Sequence, residues 1–102
     1  MTAEANMRPL PDNPDLQALA RRVVWFKSPA AAIAMPMHFI AYVLTYGTHE
    51  DVSVLRRYVS DAELREALAG APPGVFDDRS WAYWHLQLDR YPAPPLPARM
   101  LR

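Results

Sequence analysis

Arg79 and His85 are the residues of this chain whose types and spacing come nearest to a catalytic pair. A guanidinium stabilises a developing oxyanion and an imidazole transfers a proton, which together would suit phosphodiester cleavage without a metal. On a straight helix, however, a separation of six residues rotates one side chain by about 600° relative to the other. The two side chains would then lie on different faces, which favours packing and surface hydrogen bonding over catalysis.

The spacing of this pair resembles the Arg-x5-His signature of HEPN-type helical ribonucleases. That family favours Asn, Asp or His directly after the arginine, whereas this chain has Ser80. The resemblance implies an RNase that uses Arg79 and His85, and this stays open as a second alternative function.

Other residue types that serve catalysis or metal binding are absent or scattered. The chain has no cysteine, which excludes disulfides, thiolate zinc sites and cysteine nucleophiles. His38, His49 and His85 fall in three different predicted helices, and no pair has metal-ligand spacing. The three glycines lie apart, so the chain has no glycine-rich phosphate loop. We therefore expect no enzyme activity, no catalytic residue, no metal and no cofactor.

Three arginines support an alternative role in DNA binding. The predicted helices 48–58 and 60–69 are joined by a short turn, as in a helix-turn-helix, and Arg56, Arg57 and Arg65 would be available for phosphates or bases. Acidic residues on the second helix oppose this role, because a helix that enters the groove normally avoids negative charge. A DNA-binding autorepressor is therefore the first alternative function.

Aromatic residues are concentrated in the last predicted helix and the segment that follows it. Trp81, Tyr83 and Trp84 cannot all point the same way on one helix, so a purely structural role and an additional interface role both stay open. Tyrosine and tryptophan dominate the hot spots of protein interfaces. The contact region predicted for a protein partner comprises Trp81, Trp84, Tyr91, Pro94 and Pro95.

Prolines and capping residues divide the chain into helices. Asn13-Pro14 and Ser28-Pro29 combine an N-cap with proline at the first helical position, and Gly47 has the placement of a left-handed C-cap. The signals predict helices over residues 14–26, 29–35, 36–46, 48–58 and 60–69, and a last helix that begins after Asp77 or Asp78. The helix 36–46 is apolar nearly all round, which predicts that it is buried at the centre. The fold class is therefore all-α: a compact orthogonal bundle of about five to six short helices with an extended Pro-rich C-terminal tail.

Length and composition indicate one globular domain. We expect a flexible N-terminal arm over residues 1–12, a single helical domain over 13–91 and an extended tail over 92–102. Eleven basic and eleven acidic residues balance, so the chain lacks the charge of a general nucleic-acid or membrane binder. The longest apolar stretch, 30–44, is interrupted by Pro36 and falls short of the ~20 residues that span a bilayer. We expect a soluble cytoplasmic protein without membrane contact.

Most of the chain, residues 23–97, resembles a group of small bacterial helical proteins that are the upstream, antitoxin-like partners of AbiEii-type nucleotidyltransferase toxins. The resemblance is carried by helix and core residues: FIAYVLTYG (39–47), ED (50–51), LRRY (55–58), LREAL (64–68) and FDDRSWAYW (76–84). It implies a non-enzymatic interaction protein that covers a toxin encoded in the same two-gene operon. The chain lacks the Gly-Ser and paired-aspartate signature of the transferase itself, so it would be the partner. Its oligomeric state is not determined by the sequence.

Overall fold

Six α-helices form the part of the chain that the computed structural model describes, residues 7–97. They are α1 (Pro14–Val23), α2 (Pro29–Ile33), α3 (Pro36–Tyr46), α4 (His49–Leu55), α5 (Asp61–Ala69) and α6 (Asp78–Gln87). No strand occurs within these residues. The predicted all-α fold with about six short helices is therefore confirmed for the described part of the chain.

Side-chain caps begin five of the helices at the positions that the sequence predicts. Each capping oxygen accepts a hydrogen bond from a backbone N–H of the first turn, which would otherwise have no partner. The caps are Asn13, Ser28, Thr48, Ser60 and Asp77. At α4 and α5 the third helical residue, Asp51 or Glu63, also accepts from the backbone N–H of the cap, which completes two capping boxes.

Three helices end earlier than predicted, and the backbone after α3 differs from the predicted left-handed cap. The backbone leaves the helical region at Val24, so α1 stops at Val23 and does not reach residue 26. α2 stops at Ile33, because the residue before Pro36 is pushed out of the helical region. α4 stops at Leu55, three residues short of the predicted end. Gly47 is extended, with φ −73° and ψ 157°, so the left-handed cap predicted there is wrong.

The helix predicted to be central, α3, packs against each of the other five helices. Phe39, Ile40, Ala41 and Val43 are at most 1% exposed. An apolar surface that covers most of a helix is removed from water only if neighbours surround the helix, because each buried aliphatic or aromatic side chain contributes about 1.5–3 kcal/mol. This prediction is confirmed.

The described part of the predicted N-terminal arm, residues 7–12, lies against the domain. Met7 and Leu10 are buried in the core. The Arg8 guanidinium donates to the Glu63 carboxylate and to the Tyr58 carbonyl oxygen. Two apolar side chains and one ion pair thus attach residues 7–12 to the domain. The rest of that arm, residues 1–6, and the end of the predicted tail, residues 98–102, lie outside the described range.

The described structure has the dimensions of one small domain. Its Cα radius of gyration is 12.9 Å, close to the ~13 Å of a folded chain of 100 residues. None of the helices in residues 7–97 has the length and apolar character needed to cross a membrane.

Candidate protein-interaction surface

Four aromatic side chains form one exposed patch where the end of α1 meets α3. We call it the aromatic surface: Trp25 and Phe26 in the α1–α2 loop, and Tyr42 and Tyr46 on α3. Trp25 is 77% exposed, Tyr46 64% and Phe26 50%, while Tyr42 is partly buried. Large aromatic side chains grouped in this way leave a contiguous apolar area in water, and such areas mark interaction sites more often than scattered single residues do.

The four rings contact one another in sequence. Trp25 meets Phe26 edge to face, with ring centroids 5.6 Å apart, and Phe26 meets Tyr42 in the same manner at 5.5 Å. Tyr42 and Tyr46 are one helical turn apart and stack at 6.1 Å. These separations lie within the 4.5–7 Å range of favourable aromatic pairs. The contacts hold the rings in one arrangement, which lowers the entropy that they would lose on binding a partner.

The early end of α1 explains why Trp25 and Phe26 face solvent. Val23 and Val24 are both buried, and the turn that follows Val23 allows Val24 to enter the core. The next two residues then lie outside the helix, ahead of the Ser28 cap that starts α2. On α3, Tyr42 and Tyr46 occupy the row left uncovered when the other faces of the helix pack inward.

A fixed ion pair lies beside the aromatic surface. Arg22 lines the same cavity of about 310 Å³ as the four aromatic residues, and its Nη2 is 2.6 Å from Oδ1 of Asp51. Burial by itself would raise the pKa of Asp51, but hydrogen bonds from the Thr48 backbone and from Arg22 lower that pKa below its ordinary value. The carboxylate therefore stays ionised and holds Arg22 at the rim. An apolar centre with a polar rim is the usual composition of a protein interface.

Two residues of the predicted contact region, Trp81 and Trp84, lie in the core instead. They are 5% and 7% exposed, and their indole N–H groups donate to the carbonyl oxygens of Pro94 and Leu44, each at 2.8 Å. A buried indole needs such an acceptor, and both tryptophans have one. Tyr91, Pro94 and Pro95 are exposed, so only this part of the predicted region is accessible.

The three arginines predicted to contact DNA all bind within the chain. Arg56 pairs with Asp61 at 2.5 Å, and Arg57 lies 3.9 Å from the Asp15 carboxylate. Arg65 donates from Nε to the carbonyl oxygen of Leu88. The helices α4 and α5 each pack against α3. DNA binding through these residues stays a prediction.

Arg79 and His85 open onto different cavities. Arg79 is exposed and lines a cavity with His49, Ser80 and Tyr83, whereas His85 is 4% exposed and lines another. The Nδ1 atom of His85 lies 2.7 Å from the carbonyl oxygen of Trp81. The structure therefore does not bring the predicted RNase pair together at one site. In the described residues no group of three or more His, Cys, Asp or Glu side chains could hold a metal ion.

Sequence reasoning did not select the aromatic surface, although one signal for it was present. Ser28-Pro29 restarts a helix directly after Phe26, so α1 had to end before that point and leave a short connection. The exposure of Tyr42 and Tyr46 has no comparable local signal, because they belong to a helix that is apolar nearly all round. Only the positions of the neighbouring helices leave that row uncovered.

No protein-family model matches the chain, and comparison with curated proteins and with solved structures found no match. The fold and the aromatic surface are therefore the observations on which a function is argued.

Proposed function

We propose that the protein is a non-enzymatic binding protein that contacts a partner protein through the aromatic surface. The observation that carries this proposal is the exposure of Trp25, 77%, at one end of a contiguous row of four rings. Exposed tryptophan and tyrosine in rigid arrangements are the residues most enriched among interface hot spots. The Arg22–Asp51 pair beside them would add a directional polar contact.

The kind of partner that we propose follows from the resemblance described above: a nucleotidyltransferase toxin encoded next to this protein. The protein would act as an antitoxin by covering part of the toxin. A balanced net charge and an apolar contact centre suit such a partner better than a polyanion. The aromatic surface supports protein binding in general, and the resemblance alone supports the choice of partner.

Co-expression with the neighbouring nucleotidyltransferase tests both parts of the proposal. We expect a complex that can be purified and protection of the host from the toxin. Tyr46→Ala and Trp25→Ala should each weaken the complex about 30-fold, since a hot-spot residue is worth about 2 kcal/mol or more. The matched control is Tyr91→Ala, because Tyr91 is a tyrosine of similar exposure, 62% against 64%, in the region predicted from the sequence.

The possible outcomes test the aromatic surface and the choice of partner separately. A complex weakened by Tyr91→Ala and unaffected by Tyr46→Ala would contradict the aromatic surface and favour the C-terminal region. Absence of both a complex and protection would contradict the partner. A wild-type dimer that Trp25→Ala converts to a monomer, measured by light scattering, would show that the aromatic surface joins two copies of this chain.

A further inference from the structure

A second cavity lies between α5, α6 and the segment that follows α6. Its volume is about 380 Å³, within the range of small-molecule sites. We call it the basic cavity, because its ionisable lining consists of Arg65, His85 and Arg90 with no acidic side chain from the described residues. Its apolar walls include Leu68, Trp81 and Pro94. It shares no residue with the aromatic surface, so the proposed partner contact does not account for it.

His85 is the buried polar group of the basic cavity. It is only 4% exposed, and its ring lies 4.2 Å from that of Trp81. The carbonyl oxygen of Trp81 accepts from Nδ1 at 2.7 Å, so Nδ1 carries a hydrogen and the ring orientation is set. With the hydrogen on Nδ1, Nε2 can only accept; it makes no hydrogen bond with any residue in the range 7–97, so it is available to a donor group of an occupant.

Two arginines line the basic cavity together with this histidine. Arg65 is half-buried, and its Nε donates to the Leu88 carbonyl oxygen at 2.8 Å, which positions the rest of the group. The backbone N–H of Arg90 donates to the carbonyl oxygen of His85 at 2.7 Å, which ties Arg90 to the end of α6. Neither guanidinium pairs with a carboxylate among the residues that the structure describes. Two arginines without a carboxylate partner at one cavity favour the binding of an anion there.

We infer that the basic cavity binds a small organic anion, a carboxylate or phosphate group carried on a flat apolar body. Guanidinium forks match both head groups in geometry. The head group would contact Arg65 and Arg90, and the apolar body would lie against Leu68 and the proline-containing wall. Apolar walls with a few convergent polar groups are typical of small-molecule sites.

Titration of the full chain with three probes that share a benzene ring tests this inference. Benzoate and phenyl phosphate carry the two anionic head groups, and benzamide is the neutral control. The readout is the NMR signal of the Trp81 indole N–H, whose acceptor, Pro94, forms part of the wall. The exposed Trp25 indole is the remote reference. We expect a saturable Trp81 shift with at least one anion and binding of benzamide at least about tenfold weaker.

Arg90→Gln and Arg79→Gln form a matched pair of variants. Both arginines are exposed, and neither side chain has a carboxylate partner among the described residues, so both variants should fold. Arg79 does not line the basic cavity. We expect Arg90→Gln to weaken anion binding about tenfold and Arg79→Gln to leave it within about twofold.

Three results would overturn the inference. The first is no Trp81 shift with either anion up to about 10 mM, where even millimolar binding would be visible. The second is equal binding of benzamide and benzoate. The third is an equal loss in both variants, which would indicate general charge attraction. The head group that binds more tightly identifies the ligand as a carboxylate or a phosphate.

Discussion

At the scale of single residues, buried polar groups determine how α6 sits on the domain. Leu44 lies in the last turn of α3, where carbonyl oxygens have no partner within the helix. The Trp84 indole N–H donates to that oxygen across the α3–α6 contact. One hydrogen bond thus satisfies both a buried indole and a helix end, and the rest of the Trp84 ring is removed from water by the same contact.

Replacement of this donor should destabilise the protein. Trp84→Phe keeps an aromatic ring but leaves the Leu44 carbonyl oxygen buried without a partner, so we expect a loss of about 1–3 kcal/mol in the free energy of unfolding. Urea denaturation measures it. The control is Trp25→Phe, at a site 77% exposed, which should change stability by no more than about 0.5 kcal/mol. Equal losses in the two variants would show that the hydrogen bond contributes nothing.

At the scale of elements, close backbone approach determines the junction between α3 and α4. Gly47 connects the two helices, and its N–H donates to the Val43 carbonyl oxygen at 2.8 Å. A Cβ at this position would lie 2.6 Å from that same oxygen. Glycine is therefore required here because a Cβ atom would not fit, and not because the backbone is left-handed. The junction in turn fixes where Thr48 and Asp51 form their capping box, beside Arg22.

Gly47→Ala tests this close approach. The added methyl group must displace backbone, so we expect a loss of about 1–3 kcal/mol in the free energy of unfolding. The matched control is Gly70→Ala at the end of α5, where φ is −106° and the backbone is therefore not left-handed. That variant should be neutral or slightly stabilising, since it lowers the entropy of the unfolded chain. Calorimetric melting temperatures compare the two, and a tolerated Gly47→Ala would contradict the contact.

At the scale of the whole molecule, charged groups tie distant parts of the chain together. Arg8 pairs with Glu63 at 2.7 Å. The Tyr58 hydroxyl donates to the Asp15 carboxylate at 2.6 Å, and this hydrogen bond raises the pKa of Tyr58. These contacts join the N-terminal segment to the first turn of α5, and α1 to the connection between α4 and α5. The described residues from Met7 onward are therefore held against the helices.

The stability of the domain should fall in acid. The hydrogen bond from Arg8 lowers the pKa of Glu63 from 4.5 to about 2, and the pKa values of Asp51 and Asp77 are also lowered. A carboxyl group whose pKa is lower in the folded state stabilises the fold fully above its unfolded pKa. For Glu63 this contribution is lost as the pH falls from about 4.5 to 2.

Glu63→Gln isolates this contribution. The glutamine oxygen can still accept the capping hydrogen bond from Ser60, so the variant removes mainly the charge. Because Arg8 is half-exposed, we expect a loss of only about 1 kcal/mol at pH 7 and a smaller one near pH 2. Thermal unfolding from pH 7 to 2 measures the difference. If the stability difference between wild type and variant is the same at every pH, the lowered pKa of Glu63 does not stabilise the fold.

Most of the fold could be predicted from the sequence because helix boundaries have local causes. Asn13 and Pro14, or Ser60 and Glu63, act on the backbone within one turn, so their meaning does not depend on distant residues. The burial of α3 also followed from its own composition. Helix ends such as Val23 were predicted less well, because a residue leaves the helix when packing elsewhere is more favourable.

The candidate sites were harder to predict, because exposure is a property of neighbours. Trp81 and Trp25 are the same residue type, yet one is 5% exposed and the other 77%. His85 and Arg90 belong to one cavity only because the chain turns back after α6. The sequence by itself determined where helices begin and which helix is central, through capping, proline geometry and apolar periodicity. Only the tertiary structure decided which aromatic rings face water and which arginines line the same cavity, since both depend on contacts between residues far apart in the chain.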